Sequence, residues 1–284
     1  MQTDIHALTI PYSHQSVARV PACDAVIWRF MSLAKFLSML YNRALHFAVL
    51  SSLNDVLEAA PPRLPDDATV HDRMRAWYRW QRNRHMVFVN CWHVSQSESA
   101  AMWALYATQS EGVAIRSTFG EASKAFGLRE AGLLGSTVQA GMVEYIDPEA
   151  ELVPEPTSNV VLAALKKRHW YAYESELRFM YIKTENYLRP PTGSQCEPGA
   201  AAQNGLWIQC DLQKLIKSVV LAPSAPAFLG DVVAEACRQS RLDPSVQQRS
   251  RLREGAPEPP DEREWKEYLR DLGKKYRRPF GITL

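Results

Sequence analysis

Positions that alternate between apolar and polar divide much of the chain into short predicted strands. In the first of them, Val26, Trp28 and Phe30 fall on one face, and Ile27 and Arg29 fall on the other. Similar runs predict further strands at 45–48, 86–92, 112–118, 141–146, 177–182, 207–210 and 219–222. These strands are short and mixed in character.

Apolar residues that recur every three or four positions predict helices between these strands. Ser32 is an N-cap for the first helix, whose apolar face includes Leu33 and Phe36. Ser95-Gln96-Ser97-Glu98 has the form of a capping box and predicts a helix that starts at Gln96. Further helices are predicted at about 73–84, 160–173, 229–239 and 261–275.

Strands and helices follow each other without regular βαβ spacing. This order predicts an α+β fold, with a mixed, largely antiparallel sheet and packed helices. At 284 residues, the chain is long enough for one large domain with appendages. We predict an N-terminal lead-in at residues 1–25, a single α+β domain at 26–253, and a Pro-rich linker with a short charged C-terminal helix at 254–284.

The composition is that of an ordinary globular protein, with 46% hydrophobic and 23% charged residues. A net charge of +2 gives no strong attraction to nucleic acid or to a membrane. No stretch approaches the roughly 18 apolar residues that span a bilayer. The N-terminus also lacks the basic and then apolar order of a secretory signal. A cytoplasmic location without a membrane partner is therefore expected.

The common catalytic and metal-binding motifs are missing from the sequence. The five cysteines are widely scattered without a C-x-x-C pair, and the seven histidines form neither H-x-x-x-H nor H-E-x-x-H. The sequence also lacks the P-loop, the G-x-G-x-x-G fingerprint and the G-x-S-x-G elbow. No metal cofactor is expected.

Glu174 and Glu176 are the most informative pair of residues, because they stand where a predicted helix meets the strand up to Ile182. Side chains at i and i+2 of a strand point the same way, and like charges held close raise the cost of ionising both. Such a pair can divide acid and base roles between two carboxylates. The alternative is a solvated strand edge.

Several segments follow each other along the chain: Trp28-Arg29-Phe30, Asn54-Asp55, Cys91-Trp92-His93, Met102-Trp103-Ala104-Leu105-Tyr106 and the junction from Trp170 through Glu174 and Glu176 to Arg178. In this order they resemble an uncharacterised bacterial family known as a domain of unknown function. The resemblance covers roughly residues 26–250, and its last two motifs are fairly specific. Val56-Leu57-Glu58 stands where that family has Pro-Phe-Glu, although Glu58 still supplies an acid.

Arg29 lies on the first predicted strand with a helix after it, Ser117 and Thr118 lie on a strand in mid-chain, and Glu174 and Glu176 open a late strand. This arrangement has a second, weaker similarity to the ADP-ribosyltransferase fold, which implies NAD as a substrate. By this similarity, Arg29 would bind a phosphate of NAD and Glu176 would be the catalytic acid. Ser117 and Thr118 would form the strand that supports the nicotinamide pocket. The similarity also implies a stacking ring, supplied by either Trp103 or Tyr106.

This chemistry is coherent, because breaking the ribose–nicotinamide bond builds positive charge on the sugar, and a nearby carboxylate stabilises that charge. Glu174 would then activate or orient an unknown macromolecular acceptor, either a nucleic acid or a protein. Each residue also has a structural alternative. Arg29 can pair with one of the glutamates, Trp103 and Tyr106 can belong to the core, and the Ser/Thr strand can be purely structural.

Two other functions compete with an ADP-ribosyltransferase that serves as a toxin or defence effector. The first is a non-enzymatic module in defence or stress response that binds nucleic acid or protein. It would use the basic helix 73–84 and the run 166–169, although such a helix can also be a solvated one docked by its tryptophans. The second is a metal-dependent nuclease with Glu174, Glu176 and His169 as ligands.

Overall fold

The first strand and helix form where the sequence predicts them. Strand β1 spans Val26–Ser32, and helix α1 spans Leu33–Asn42. The hydroxyl of Ser32 accepts the backbone N–H of Lys35 at 3.4 Å, which satisfies one of the free amides at the helix start. The computed structural model describes residues 18–55, 57–58, 64–108, 110–128, 138–147, 160–183, 205–253 and 261–275.

The part of the chain that the structure describes contains eleven strands and eight α-helices, together with short 3-10 turns. The remaining strands are β2 (Ala44–Val49), β3 (Val87–Val94), β4 (Gly112–Thr118), β5 (Val138–Met142), β6 (Glu144–Ile146), β7 (Lys166–Arg168), β8 (Glu176–Ile182), β9 (Gly205–Gln209), β10 (Ser218–Leu221) and β11 (Gln247–Arg249). The remaining helices are α2 (Val70–Met86), α3 (Ala100–Tyr106), α4 (Phe119–Ala125), α5 (Val160–Ala164), α6 (Leu212–Leu215), α7 (Ala227–Gln239) and α8 (Glu262–Lys275).

The nine-stranded sheet is built around β3. Strand β8 pairs with β3 along one edge, in a register that places His93 opposite Glu176. Strands β1 and β2 share the other edge of β3, where Trp28 pairs with His93 and Val49 pairs with Phe88. Strands β4, β10 and β11 continue beyond β1, β9 lies beyond β2, and β5 lies beyond β8.

All pairings in this sheet are antiparallel except that of β10 with β11, and β6 and β7 form a separate parallel pair. The predicted α+β fold with a mixed, largely antiparallel sheet and packed helices is therefore confirmed.

Alternation along β8 separates two buried environments. Leu177 and Phe179 belong to the larger hydrophobic core, which also contains the buried faces of α1 and α4. Met180 belongs to a smaller core, together with residues of β3 and α5. Glu176 and Arg178 have the same parity as Met180, so they enter the side of the sheet with the smaller core.

Two predicted helices differ from the structure. The helix expected at 160–173 ends at Ala164, and the chain continues as β7 and then as a 3-10 turn, His169–Glu174. The helix expected from Gln96 begins at Ala100 with Ser99 as its N-cap. The hydroxyl of Ser95 is used locally, because it accepts the N–H of Ser97 at 3.2 Å in a turn before the helix.

The chain divides into two compact units, one up to Ser250 and one from Arg251. The second contains the predicted charged helix, as α8. Of the predicted lead-in at 1–25, residues 1–17 lie outside the described residues, and so do 254–260 of the linker. Within the described residues, none of the helices combines the length and the apolar character needed to cross a membrane.

Two glycines are expected to respond differently to substitution by alanine. A Cβ at Gly112 would overlap the backbone carbonyl of Thr108, whereas one at Gly230 in α7 would approach the end of the Gln247 side chain at 3.0 Å and make an ordinary contact with Leu221 at 3.7 Å. We expect Gly112→Ala to lower the free energy of unfolding by about 1–3 kcal/mol because backbone must move. Gly230→Ala should raise it by about 0.5–1 kcal/mol because alanine favours the helix. Urea unfolding measures both, and equal effects would contradict this assignment.

Candidate functional site

The two glutamates of the predicted pair meet at a buried lysine. Ser175 between them has a left-handed backbone with φ 40°, so the chain turns from the 3-10 turn into β8. Lys167 on β7 donates to a carboxylate oxygen of Glu174, and to Oε2 of Glu176 at 3.0 Å. All three side chains are buried. The prediction of a solvated strand edge therefore does not describe these acids.

Arg178 holds Glu176 from the same strand. Its Nε donates to Oε1 of Glu176 at 2.8 Å, and its Nη2 donates to Oε2 at 3.1 Å. Nη1 donates to the backbone carbonyl of Ala164 at 2.6 Å, and Nη2 also donates to Glu58. Because Arg178 is fully buried, each of these acceptors replaces water that the guanidinium has lost.

Glu58 reaches this guanidinium from a turn that a second ion pair fixes. Arg168 donates to both oxygens of the buried Asp55, at 3.1 Å and 2.6 Å. Asp55 in turn accepts the backbone N–H of Leu57 at 3.0 Å. One oxygen of Glu58 accepts from Arg178, while the other, Oε2, is buried without a hydrogen-bond partner.

We call Glu58, Lys167, Glu174, Glu176 and Arg178 the charge cluster. Three carboxylates against two cations give it a formal charge of −1 when all are ionised. Burial raises the pKa of Glu58. Burial would also raise the pKa of Glu176, but Arg178 and Lys167 outweigh it and lower that pKa to about 2. The two carboxyl groups thus respond in opposite directions to the same surroundings.

Glu174 is the member of the charge cluster that contacts an exposed side chain. The hydroxyl of Tyr106, a residue that is 43% exposed, donates to Oε1 of Glu174 at 2.7 Å. Burial and the adjacent Glu174 raise the pKa of Tyr106, which keeps the hydroxyl protonated as a donor. His93 donates from Nδ1 to the backbone carbonyl of Glu174 at 2.6 Å, because a carbonyl can only accept. Two further rings on this turn, Trp170 and Tyr173, are exposed.

Arg29 is not brought to these acids. Trp28 is in register with His93, and His93 with Glu176, so these three side chains share one face of the sheet. Arg29 follows Trp28 and therefore projects from the opposite face. Its Nη1 lies 3.5 Å from the backbone carbonyl of Cys91, at the gap between β1 and β2, and burial lowers the pKa of Arg29 to about 10.

Three other predicted residues also lie away from the charge cluster. Trp103 is fully buried, with an edge contact to Phe30 at a ring distance of 5.0 Å, so its indole belongs to the core. Ser117 is buried on β4, which β1 separates from β3. Thr118 is the N-cap of α4 and accepts the backbone N–H of Glu121 at 3.3 Å. Of the two candidate stacking rings, Tyr106 alone reaches the acids.

Four residues of this site were not predicted to lie together: Asp55, Lys167, Arg168 and Arg178. Arg178 had a signal, since it lies two residues after Glu176 on one strand and so shares its side. Lys167 and Arg168 had no such signal, because they stand in a run whose pattern predicts a helix.

Among the described residues, no group of three histidine, cysteine or acidic side chains is arranged to hold a metal ion. His169, the third ligand of the nuclease hypothesis, is exposed and contacts Trp170.

Residues from distant segments thus converge on one buried location. They come from the turn with Glu58, the end of β3 with His93, the end of α3 with Tyr106, and the junction from Glu174 to Arg178. Comparison of the chain with models of known families, with characterised proteins and with solved structures finds no match. The geometry therefore carries the functional argument.

We expect Arg178→Met to lower the free energy of unfolding by about 3–5 kcal/mol, because Glu58 and Glu176 would lose their buried partner. The matched control is Arg238→Met on α7, which removes an exposed pair with Glu235. That change should cost no more than about 1 kcal/mol. Urea unfolding compares them, and similar losses would contradict a central role for Arg178.

The opposite pKa directions in the charge cluster are measurable. With glutamate labelled at the side-chain carboxyl carbon, NMR should show Glu176 titrating at about pH 2 and Glu58 above its ordinary value of 4.5. The contribution of Glu176 to stability is present above the unfolded pKa and is lost as the pH falls toward 2. That of Glu58 has the reverse sign and is lost as the pH rises through its folded pKa. Glu58→Gln assigns the resonance, and titration of both groups near 4.5 would refute the proposed arrangement.

Proposed function

We propose that this protein is an NAD-using enzyme of the ADP-ribosyltransferase kind, with Glu174 as the reacting carboxylate. One observation carries the proposal: a buried carboxylate has one oxygen on Lys167 and the other on the hydroxyl of the exposed Tyr106. A negative charge that is fixed in a water-poor site, next to a partly exposed side chain, can stabilise positive charge on a substrate.

The structure favours Glu174 over Glu176 for this role. Both oxygens of Glu176 are occupied by Arg178, and one of them also by Lys167. A substrate would have to displace a buried guanidinium to reach Glu176. We therefore assign Glu176 to positioning, since it holds the lysine that in turn holds Glu174.

Exposed rings at the end of α3 and on the 3-10 turn suit a planar, cationic group. Tyr106, Trp170 and Tyr173 are each exposed by about two fifths or more of their surface. Aromatic faces attract cations, and nicotinamide is a flat cation while it is joined to ribose. The proposal gives no role to Arg29, Trp103, Ser117 or Thr118 in binding NAD at this site.

In the proposed reaction, the bond between ribose C1′ and the ring nitrogen breaks. Its electron pair leaves with nicotinamide, which becomes neutral, and the sugar carries the positive charge. Glu174 stabilises that charge, and Tyr106 keeps the carboxylate oriented. Water or a hydroxyl group of the acceptor then adds to C1′ and releases a proton, and either hydrolysis or transfer of ADP-ribose results.

Release of nicotinamide from NAD by the purified full chain tests the proposal, both alone and with nucleic acid or cell extract as acceptor. We expect Glu174→Gln to lower the rate by about 100-fold or more, because the charge is lost while the shape is kept. Tyr106→Phe should lower it less, because it removes only the hydroxyl. Glu235→Gln on the exposed face of α7 is the matched control and should leave the rate unchanged. Absence of release by the wild type under all three conditions, or full activity of Glu174→Gln, would refute the proposal.

A further inference from the structure

Helix α2 carries an unusual concentration of positive charge. Its sequence contains five arginines, at 73, 75, 79, 82 and 84, and a single acid, Asp72. That acid is used within the helix: it accepts the backbone N–H of Thr69 at 3.1 Å in a capping box. The helix therefore has a large positive excess in a chain whose total charge is only +2.

The buried side of α2 is narrow. Ala76, Asn83 and Met86 are its buried residues. Trp80 docks the helix, because its indole N–H donates to the backbone carbonyl of Glu58 at 3.1 Å. Trp80 thus serves the docking role that the sequence suggests for both tryptophans of this helix, whereas Trp77 is 41% exposed.

The opposite side of α2 presents an apolar ridge to solvent. We define this ridge as Met74, Trp77 and Tyr78, which are 48%, 41% and 47% exposed. The rings of Trp77 and Tyr78 contact each other, with their centroids 5.1 Å apart. At 100° per residue, Arg73 and Arg75 lie on the two flanks of this ridge, and both are exposed.

We propose that this face of α2 binds single-stranded nucleic acid. Arginines on both flanks match a polyanionic backbone, and the exposed rings offer flat surfaces on which bases stack. A duplex fits less well, because its base faces are already covered by neighbouring bases. The combination of stacking rings and flanking guanidinium groups therefore selects an unpaired strand.

The basic run at 166–169 does not offer such a surface. Lys167 is buried on Glu174 and Glu176, and Arg168 binds both oxygens of Asp55. Two cations of that run are thus neutralised within the fold. The proposed binding face is therefore that of α2, and binding does not depend on the reaction proposed for Glu174.

Fluorescence anisotropy with labelled single-stranded DNA and RNA oligonucleotides tests this proposal, with the full chain titrated at several salt concentrations. We expect the wild type to bind, and its affinity to fall as salt rises. Arg73→Glu with Arg75→Glu should weaken binding by at least about tenfold and reduce the slope of log affinity against log salt by about 1.4, since each lost phosphate contact accounts for about 0.7. The matched control, Lys214→Glu with Arg238→Glu, makes the same change in net charge at exposed sites of α6 and α7.

The rings need a separate pair of variants. Trp77→Ala should weaken binding by about fivefold or more, because one stacked base loses its platform. Trp207→Ala removes a comparably exposed tryptophan from β9 and should leave binding unchanged. A competing duplex of the same length should displace the strand poorly.

The outcomes separate this proposal from the enzymatic one. Glu174→Gln should bind the oligonucleotide as the wild type does. Absence of wild-type binding at low salt, or equal losses in the α2 variants and their controls, would refute the α2 surface. Preference for DNA or for RNA identifies the strand and leaves the proposal standing.

Discussion

The buried guanidinium of Arg178 is the constraint on which the candidate site depends. A fully buried cation is tolerated only where acceptors replace its lost water, and here these are Glu176, Glu58 and the carbonyl of Ala164. The three acceptors come from β8, the turn after β2 and the end of α5. One side chain therefore fixes the relative positions of segments that are more than a hundred residues apart in sequence.

This constraint makes the two glutamates of the junction unequal. Glu176 lies two residues before Arg178 on the same side of a strand, so the guanidinium donates to both oxygens of its carboxylate. Glu174 lies beyond the left-handed Ser175, outside the reach of the strand, and finds Lys167 and Tyr106 instead. Sequence proximity suggests a pair with shared chemistry, but the turn between them gives one acid a buried guanidinium and the other the hydroxyl of a partly exposed tyrosine.

Local sequence patterns predict much of the fold and less of the candidate site. The cap at Ser32 and the strand Gly112–Thr118 depend on short-range signals, and both form as predicted. The end of α5 was not predicted correctly. The apolar spacing continues past Ala164 and so predicts a longer helix, whereas the chain there forms β7, which pairs with β6. The pairing of Lys167 with Glu174 and Glu176 was therefore not predicted, since it depends on that tertiary pairing. Arg29 illustrates the same limit, because strand alternation predicts its face but not which face the acids occupy.

Helix α2 connects the two halves of the functional argument. Its packing demands are small, because Trp80 and a few buried residues dock it against the turn that carries Glu58. Arg84 adds to this docking, because it donates to the backbone carbonyl of Ser51 at 3.3 Å and lies over the ring of Trp80. Trp77 and Tyr78 lie on the other side of the helix and are exposed between Arg73 and Arg75. Exposed rings add little to the packing of a helix, so their place between two exposed guanidinium groups is better explained by a ligand than by stability.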